Sequence, residues 1–471
     1  MSPADAPANQ GPETGVNAGQ PVSKGRTISD VTDEIAGITL NHPTRLRWAI
    51  GFGICSGLVV LWLVSIVVLF ARGTGVWGIN IPVGWGLAIT NVIWWIGIGH
   101  AGTLISTLLL MTGAAWRTSL NRFAEAMTLF AVACAATYPV LHLGRPQLLF
   151  WLIPHPNQLG LGPQYRSPLE WDIFAITSYA IVSLLFWYVG MLPDLAALRD
   201  RVKDRFGQVF YGVLAMGWHG STTSWTRWRR AYLILAAFAL PLVVSVHSGV
   251  SMLLAGGPIP GWHTTIFPPY FVLGAVFSGF AVVALLAVML RNGFRLHSLI
   301  NDQHFSMIAV MLLVSGLMTS YGYVLELWGA WYSSDGFEKQ TALDRLFGPW
   351  AWAYWGAIVL NFGSIQLFWF EGLRKSPWAL VFVGICVTIG MWMERYMLVV
   401  SGLARDYLSS SWGDYWPSFW EWTLFIGSIG LFGWLFFLFI RFLPLISIFE
   451  IREIVYDPED KTRTSSKGGA P

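Results

Sequence analysis

Leu141-His142-Leu143-Gly144-Arg145-Pro146 closes one long apolar run, and Ser167-Pro168-Leu169-Glu170-Trp171-Asp172 opens the next. The two runs, near 123–143 and 169–190, each approach the roughly 20 residues that a helix needs to cross a bilayer. Neither alternates in the ten-residue pattern of a membrane strand, so helices are the expected solution. Ionisable groups at the rim of such spans are costly to bury, and they point to function.

Eight further apolar runs fall near 48–70, 87–111, 230–254, 268–290, 304–329, 350–370, 377–400 and 418–442. The chain is 55% hydrophobic and 12% charged, where a soluble domain is about 25% charged. The expected fold class is therefore an all-α integral membrane protein of about ten transmembrane helices. Two four-helix bundles, from spans two to five and six to nine, with flanking helices, fit the count. The 27 Trp suit rings at both interfaces.

Lys and Arg set the expected orientation. About 22 fall on one side, from Lys24 and Arg26 through Arg45, Arg122, Arg230 and Arg291 to the C-terminal tail. About six fall on the other: Arg72, Arg145, Arg166, Lys339, Arg345 and Arg405. The positive-inside rule then places both termini in the cytoplasm. Residues 1–40 are expected to be a disordered cytoplasmic segment, because Met1 to Arg26 is rich in Pro, Gly, Ala and Asn. They lack the charged-then-apolar order of a signal peptide. The membrane domain is expected over 41–445, and a cytoplasmic tail over 446–471. A cytoplasmic loop near 192–229 should open with an amphipathic helix from Asp194 to Phe206. Outer loops such as Phe150 to Pro156 and Pro260 to His263 are rich in Trp and Pro. They suit either a docking partner or the membrane interface.

Cys55, Cys134 and Cys386 are scattered among different spans. This excludes a Cys-rich iron–sulfur motif, argues against a disulfide and assigns metal chemistry to a partner. No metal site and no nucleic-acid partner are expected.

Cys134, Tyr138 and His142 are spaced by four and share a helical face. Arg145 follows three residues on, and Pro146 stops the helix. On the next span Pro168 suits the first turn, and Asp172, Tyr179 and Ser183 form an inward polar stripe. Successive spans are neighbours, so His142 and Asp172 can face each other. An imidazole and a carboxyl group can each take one of the two protons released when a quinol is oxidised. The alternative is a structural His–Asp bond at the helix ends.

Glu394 and Arg395 lie in Met391-Trp392-Met393-Glu394-Arg395-Tyr396 of the ninth span. Adjacent helical positions diverge by about 100°, which predicts separate partners on other helices. Arg395 can hold Asp172 ionised or meet a quinone carbonyl; the alternative is a structural ion pair. His100 and His247 are mid-membrane and can in principle ligate a b-type haem. Their predicted depths differ, which favours hydrogen-bonded or proton-relay roles. Glu125, Glu326 and Glu371 read as interfacial. Gly97, Gly99 and Gly102 suit close helix packing.

Together these segments, with Gly99-His100-Ala101-Gly102-Thr103-Leu104-Ile105-Ser106 and Pro260 to Tyr270, resemble the NrfD/polysulfide-reductase membrane-subunit superfamily. The likeness runs from about Asn41 to Arg452 and is strongest to its ActC branch, the quinol-oxidising subunits of bacterial alternative complex III. The resemblance implies two four-helix bundles and a quinol site in the outer half. It implies that His142 and Asp172 are the catalytic quinol contacts. Tyr138, Arg145, Trp171 and Arg395 would help bind quinol. Apart from the resemblance, their position within the spans makes Tyr179, Ser183, His100, His247 and Glu394 candidates for a proton relay. The resemblance implies no haem or iron–sulfur cluster on this chain. Its partners would be a periplasmic-side iron–sulfur protein, c-type haem subunits, a paralogous NrfD-like subunit and lipid, in a bacterial inner membrane. One departure is Leu253, where relatives often carry Asp. Two other readings stand beside quinol oxidation. One is an ion or proton translocator, for which Pro241 would break the fifth span. The other is a structural anchor without its own quinol site.

Overall fold

The computed structural model describes residues 27–152 and 168–455. The N-terminal 26 residues, loop residues 153–167 with Arg166 and Ser167, and the tail from 456 lie outside the described residues. Every regular element among the described residues is helical. In chain order they are α1 (Ile28–Asn41), α2 (Arg45–Arg72), α3 (Leu87–Met111), α4 (Asn121–His142) and α5 (Pro168–Arg199). Then come α6 (Arg205–Leu214), α7 (Thr222–Ala255), α8 (Phe267–Phe294), α9 (Asp302–Tyr332) and α10 (Gly336–Phe347). Last are α11 (Ala351–Ile358), α12 (Glu371–Arg374), α13 (Pro377–Ala404), α14 (Phe419–Phe442) and α15 (Ile448–Val455).

Nine of these helices are long and apolar enough to cross a membrane: α2 to α5, α7 to α9, α13 and α14. The tenth expected run, 350–370, is helical but not uniformly so. After α11 it passes through a π-helical turn, Val359–Gly363, and ends in a 3-10 turn, Gln366–Trp369. The wide turn carries Asn361, which is fully buried. Asn361 Nδ2 donates to the Tyr323 hydroxyl at 2.7 Å and approaches Met391 Sδ at 3.4 Å. A π turn inserts one residue into the helix, which re-aims a side chain.

The helices α3, α4, α5 and α7 pack as one four-helix bundle, and α8, α9, α13 and the 351–369 segment as a second. The bundles meet along α3, α7 and α8, while α2 and α14 form a flanking pair against α3 and α4. Small residues allow the approach. A Cβ added at Gly102 would lie 2.0 Å from the Ala124 carbonyl oxygen, and one at Gly279 would lie 2.0 Å from Ala101 Cβ. Helix association in lipid draws on such close contact rather than on the hydrophobic effect.

The loops of the two ends differ. His142, the start of α5 and the α9–α10 connection share one end, here the His142 face. The other end, the basic face, carries α1, α6, α15 and the loops rich in Arg.

Four expectations need correction. Residues 28–40, expected in a disordered segment, form α1, which Thr27 and Asp30 cap reciprocally and which buries Val31 and Ile35. The tail begins as α15, with Ile448, Glu450 and Ile451 buried. The helix expected from Asp194 is the end of α5, which continues through Pro193; the separate amphipathic helix is α6. Pro241 does not break the fifth span, because α7 runs on to Ala255.

Candidate functional site

His142 ends α4, three residues after Pro139. The chain then turns at Gly144, whose φ is +62°, and a Cβ there would also lie 2.7 Å from Thr74 Cγ2. Only glycine meets both demands. The turn leaves the His142 ring stacked near Trp77, with centroids 6.3 Å apart. His142 Nδ1 is buried without a hydrogen-bond partner among the described residues. Asp172 lies in the second turn of α5 with 8% of its surface exposed, and its Oδ1 likewise has no partner. The two residues do not bond to each other through these atoms. Trp171 and Phe174 flank Asp172 in sequence, Leu148 and Phe150 follow His142, and all four are exposed. Arg145 is exposed at the turn.

Tyr138 is fully buried, and its hydroxyl lies 3.0 Å from Ser428 Oγ and 3.3 Å from the Leu424 carbonyl on α14. Its polar atom is therefore engaged at the seam between α4 and the flanking pair.

Deeper in the first bundle the structure overturns the expected difference in depth between His100 and His247. Their rings touch edge to face, with centroids 4.6 Å apart, where α3 and α7 cross. Tyr179 also stacks on His100, with ring centroids 4.7 Å apart. His100 Nδ1 lies 2.5 Å from the Ile96 carbonyl, which makes it the protonated nitrogen and leaves Nε2 bare. Neither nitrogen of His247 has a partner among the described residues. Rings in direct contact leave no gap for a porphyrin plane, so the pair does not fit bis-histidine haem ligation. Tyr179 donates to the Gly99 carbonyl at 3.0 Å and lies 3.2 Å from Thr103 Oγ1, which in turn is 3.3 Å from Ser183 Oγ.

Glu394 and Arg395 pair with each other, Nη1 to Oε1 at 2.9 Å, and each also meets a residue of another helix. Flexible side chains bridge the angle between adjacent positions. Glu394 accepts from the Tyr323 hydroxyl. The Arg395 guanidinium lies 4.0 Å above the Phe271 ring and fits against Gly274. Its contacts are thus on α8 and with Glu394, and it makes no ion pair with Asp172. Ring faces and a carboxylate together offset the desolvation of a buried cation.

Sequence reasoning missed the basic end of the first bundle. Arg122 is buried and donates to Asp194 at 2.9 Å, the Gly190 carbonyl at 3.0 Å and Ser447 at 3.2 Å, with Glu125 at 3.3 Å. Glu450 of α15 completes the cluster, accepting from Asn121 Nδ2 at 2.8 Å and pairing with Arg117 at 3.2 Å. Glu125, expected to be interfacial, is 2% exposed. The signal in the sequence was Arg122 and Glu125, an i,i+3 pair opening an apolar run. Glu371 does lie at the surface, paired with Lys375.

A polar cavity of about 310 Å³ opens on the His142 face of the second bundle. Tyr323, Glu326, Glu338, Arg345 and His263 line it. Arg345 holds Glu326 at 2.6 Å, Ser401 at 2.9 Å and the Gly261 carbonyl at 3.1 Å. Burial raises the Glu338 carboxyl, against the opposing pull of the Gly261 N–H and Arg345. Among the described residues no group of three or more His, Cys, Asp or Glu could hold a metal ion.

A family model described as polysulphide reductase, NrfD, matches residues 75–405. A putative membrane subunit of dimethyl sulfoxide reductase from Halobacterium salinarum is 22% identical over 379 residues, 73% of this chain and 77% of its own. A selenate reductase subunit from Mesobacillus selenatarsenatis is 19% identical over 421 residues, 84% of this chain and 94% of its own. The family match spans α3 to α13 and so includes both bundles.

Proposed function

The chain belongs to the polysulphide reductase NrfD family, and from that premise we propose that it is the quinol-oxidising membrane subunit of a multi-subunit redox complex. The observation that carries the reading is the pair of ionisable side chains at one end of the first bundle. Among the described residues, His142 and Asp172 each keep a buried atom without a partner, and Trp171 and Phe174 near Asp172 in sequence are exposed. A buried polar atom left unsatisfied costs about 1–3 kcal/mol. A quinol hydroxyl at each would remove that cost.

The reaction balances on these groups. A quinol enters from the bilayer past Trp171 and Phe174. One hydroxyl donates to Asp172 and the other to His142. As two electrons leave, one proton passes to each side chain and quinone departs. Arg145 orients the head group from the turn. The electrons go one at a time to an iron–sulfur protein docked on the His142 face, then to c-type haem subunits, as in alternative complex III. A paralogous membrane subunit stands alongside. The two relatives named above are subunits of reductases, which supports a redox complex as the setting. The distribution of Arg puts the basic face in the cytoplasm and the His142 face outside a bacterial inner membrane. Asp172→Asn tests the reading: it should stop quinol oxidation and leave assembly intact. Normal turnover in that variant would favour the structural anchor.

A second reading, proton translocation, has its own support. His100, His247, Tyr179, Thr103 and Ser183 form a polar column under the proposed site. Intramembrane ionisable groups of this kind mark proton relays. If the column conducts, His247→Leu in proteoliposomes of the whole complex should keep quinol oxidation and lower the protons moved per electron. An unchanged ratio removes this reading.

A further inference from the structure

On the basic face, four cationic or titratable residues converge where α1, α2 and α14 meet. Arg45 and Arg47 occupy the first turn of α2, His42 is the left-handed C-cap of α1, and Arg441 lies in the last turn of α14. The Arg441 guanidinium lies 5.0 Å from the Trp48 ring centroid. Burial, then the charges of Arg441 and Arg45, hold the His42 imidazole below its usual value. Arg117, Arg122, Arg291 and Arg345 each hold a carboxylate. Arg45, Arg47 and Arg441 make no such pair among the described residues.

The placement is electrostatically wrong for a protein alone. A helix N-terminus carries partial positive charge and favours anions. The first turn of α2 has no acidic residue, and Thr44 makes no side-chain cap. Two arginines there raise an already positive potential, which calls for an external anion.

An apolar crevice lies beside the cluster. It measures about 150 Å³ and sits between α8 and the α2–α14 pair, with Thr44 and Arg47 at its mouth. Trp48, Met289, Gly293 and Phe437 form its walls. Trp48 is fixed by donation to the Phe437 carbonyl at 2.8 Å and by stacking on Phe52 at 4.8 Å. Met289 is 45% exposed, so the crevice opens sideways toward hydrocarbon. A Cβ at Gly293 would meet nothing within 4 Å. The space suits a stretch of acyl chain, and is too small for another helix.

We propose that this is a binding site for an anionic phospholipid of the basic-face leaflet. Its phosphate lies among Arg45, Arg47 and Arg441, and one acyl chain fills the crevice. The lipid joins the flanking pair to the second bundle, where the protein's own packing leaves a gap. Basic pockets between transmembrane helices recognise lipid head groups in this manner.

The test uses the purified complex in mixed micelles, with retained lipid read by native mass spectrometry. Phosphatidylglycerol and phosphatidylcholine with the same chains are the probes, and inorganic phosphate is the competitor. The wild type should prefer phosphatidylglycerol by about tenfold or more, since each basic residue contributes about fivefold. Arg45→Gln with Arg441→Gln should lower the preference to at most the roughly fivefold that Arg47 alone supplies, and Arg45→Lys with Arg441→Lys should retain most of it. Gly293→Leu should lower retention of both lipids by filling the crevice. Equal retention of the two lipids by the wild type would overturn the proposal. So would full competition by phosphate at matched concentration, which would leave a simple anion site, or unchanged retention in Gly293→Leu.

Discussion

The two ends of the first bundle treat buried charge in opposite ways. At the basic end every carboxylate oxygen of Asp194, Glu125 and Glu450 has a partner, from Arg122, Arg117, Asn121, Tyr232 or the Phe449 N–H. At the other end Asp172 Oδ1 and His142 Nδ1 have none among the described residues. Carboxylates satisfied by their own chain have no need of a ligand and hold helices in register, although Asn121 Oδ1 and Arg122 Nε there have no hydrogen-bond partner among the described residues. A buried carboxyl oxygen or imidazole nitrogen left open gains from a partner that supplies the missing hydrogen bond. The basic end thus reads as a clasp and the His142 end as a site.

The sharpest way to break this contrast is to neutralise one group at each end. Asp172→Asn keeps the shape and removes the proton acceptor. Quinol oxidation per assembled complex should fall about 100-fold or more, with an unchanged melting temperature. Arg122→Met should do the reverse. It leaves Asp194 and Glu125 buried beside an apolar chain, which costs about 3–5 kcal/mol. The loss should appear in thermal unfolding and in the yield of assembled complex, while turnover of the surviving fraction stays near wild type. A stable Arg122→Met complex with collapsed turnover would make the basic end part of the catalytic path.

Much of the fold was legible because length and hydropathy decide it. Nine of the ten apolar runs are helices long enough to cross a membrane, and paired glycines such as Gly99 and Gly102 marked a packing face. What was not legible depends on partners distant in sequence. Asn121 meets Glu450 across 329 positions, and nothing near Glu450 marks it as a bundle residue. The π turn at Val359–Gly363 exists because Asn361 finds Tyr323 and Met391 on other helices. The His100–His247 contact depends on the axial shift between α3 and α7, which the residues of neither helix state. By contrast α1 carried a readable signal, Thr27 followed by Asp30 and an apolar stripe, obscured by the composition before it. At the candidate site, the rim positions of His142 and Asp172 were visible, since proline and helix length fix where each span ends. The direction of the His142 ring was not, because Trp77 and the turn at Gly144 set it.

Tyr138 gives the finest test of the same contrast, because it stands one turn from His142 yet behaves like the clasp. Its hydroxyl already has Ser428 Oγ at 3.0 Å, and Asn91 Nδ2 lies 3.4 Å from it. Tyr138→Phe removes a buried bond between α4 and α14, a loss of about 1 kcal/mol, and opens no space for a ligand. A fall of a few degrees in melting temperature is expected. Turnover and the quinol concentration for half-maximal rate should stay within about twofold, since a hydroxyl satisfied by α14 has nothing to offer a quinol. If the half-maximal concentration instead rises by about tenfold while the melting temperature holds, then the hydroxyl leaves Ser428 when quinol arrives. The boundary between clasp and site would then run below Tyr138 rather than above it.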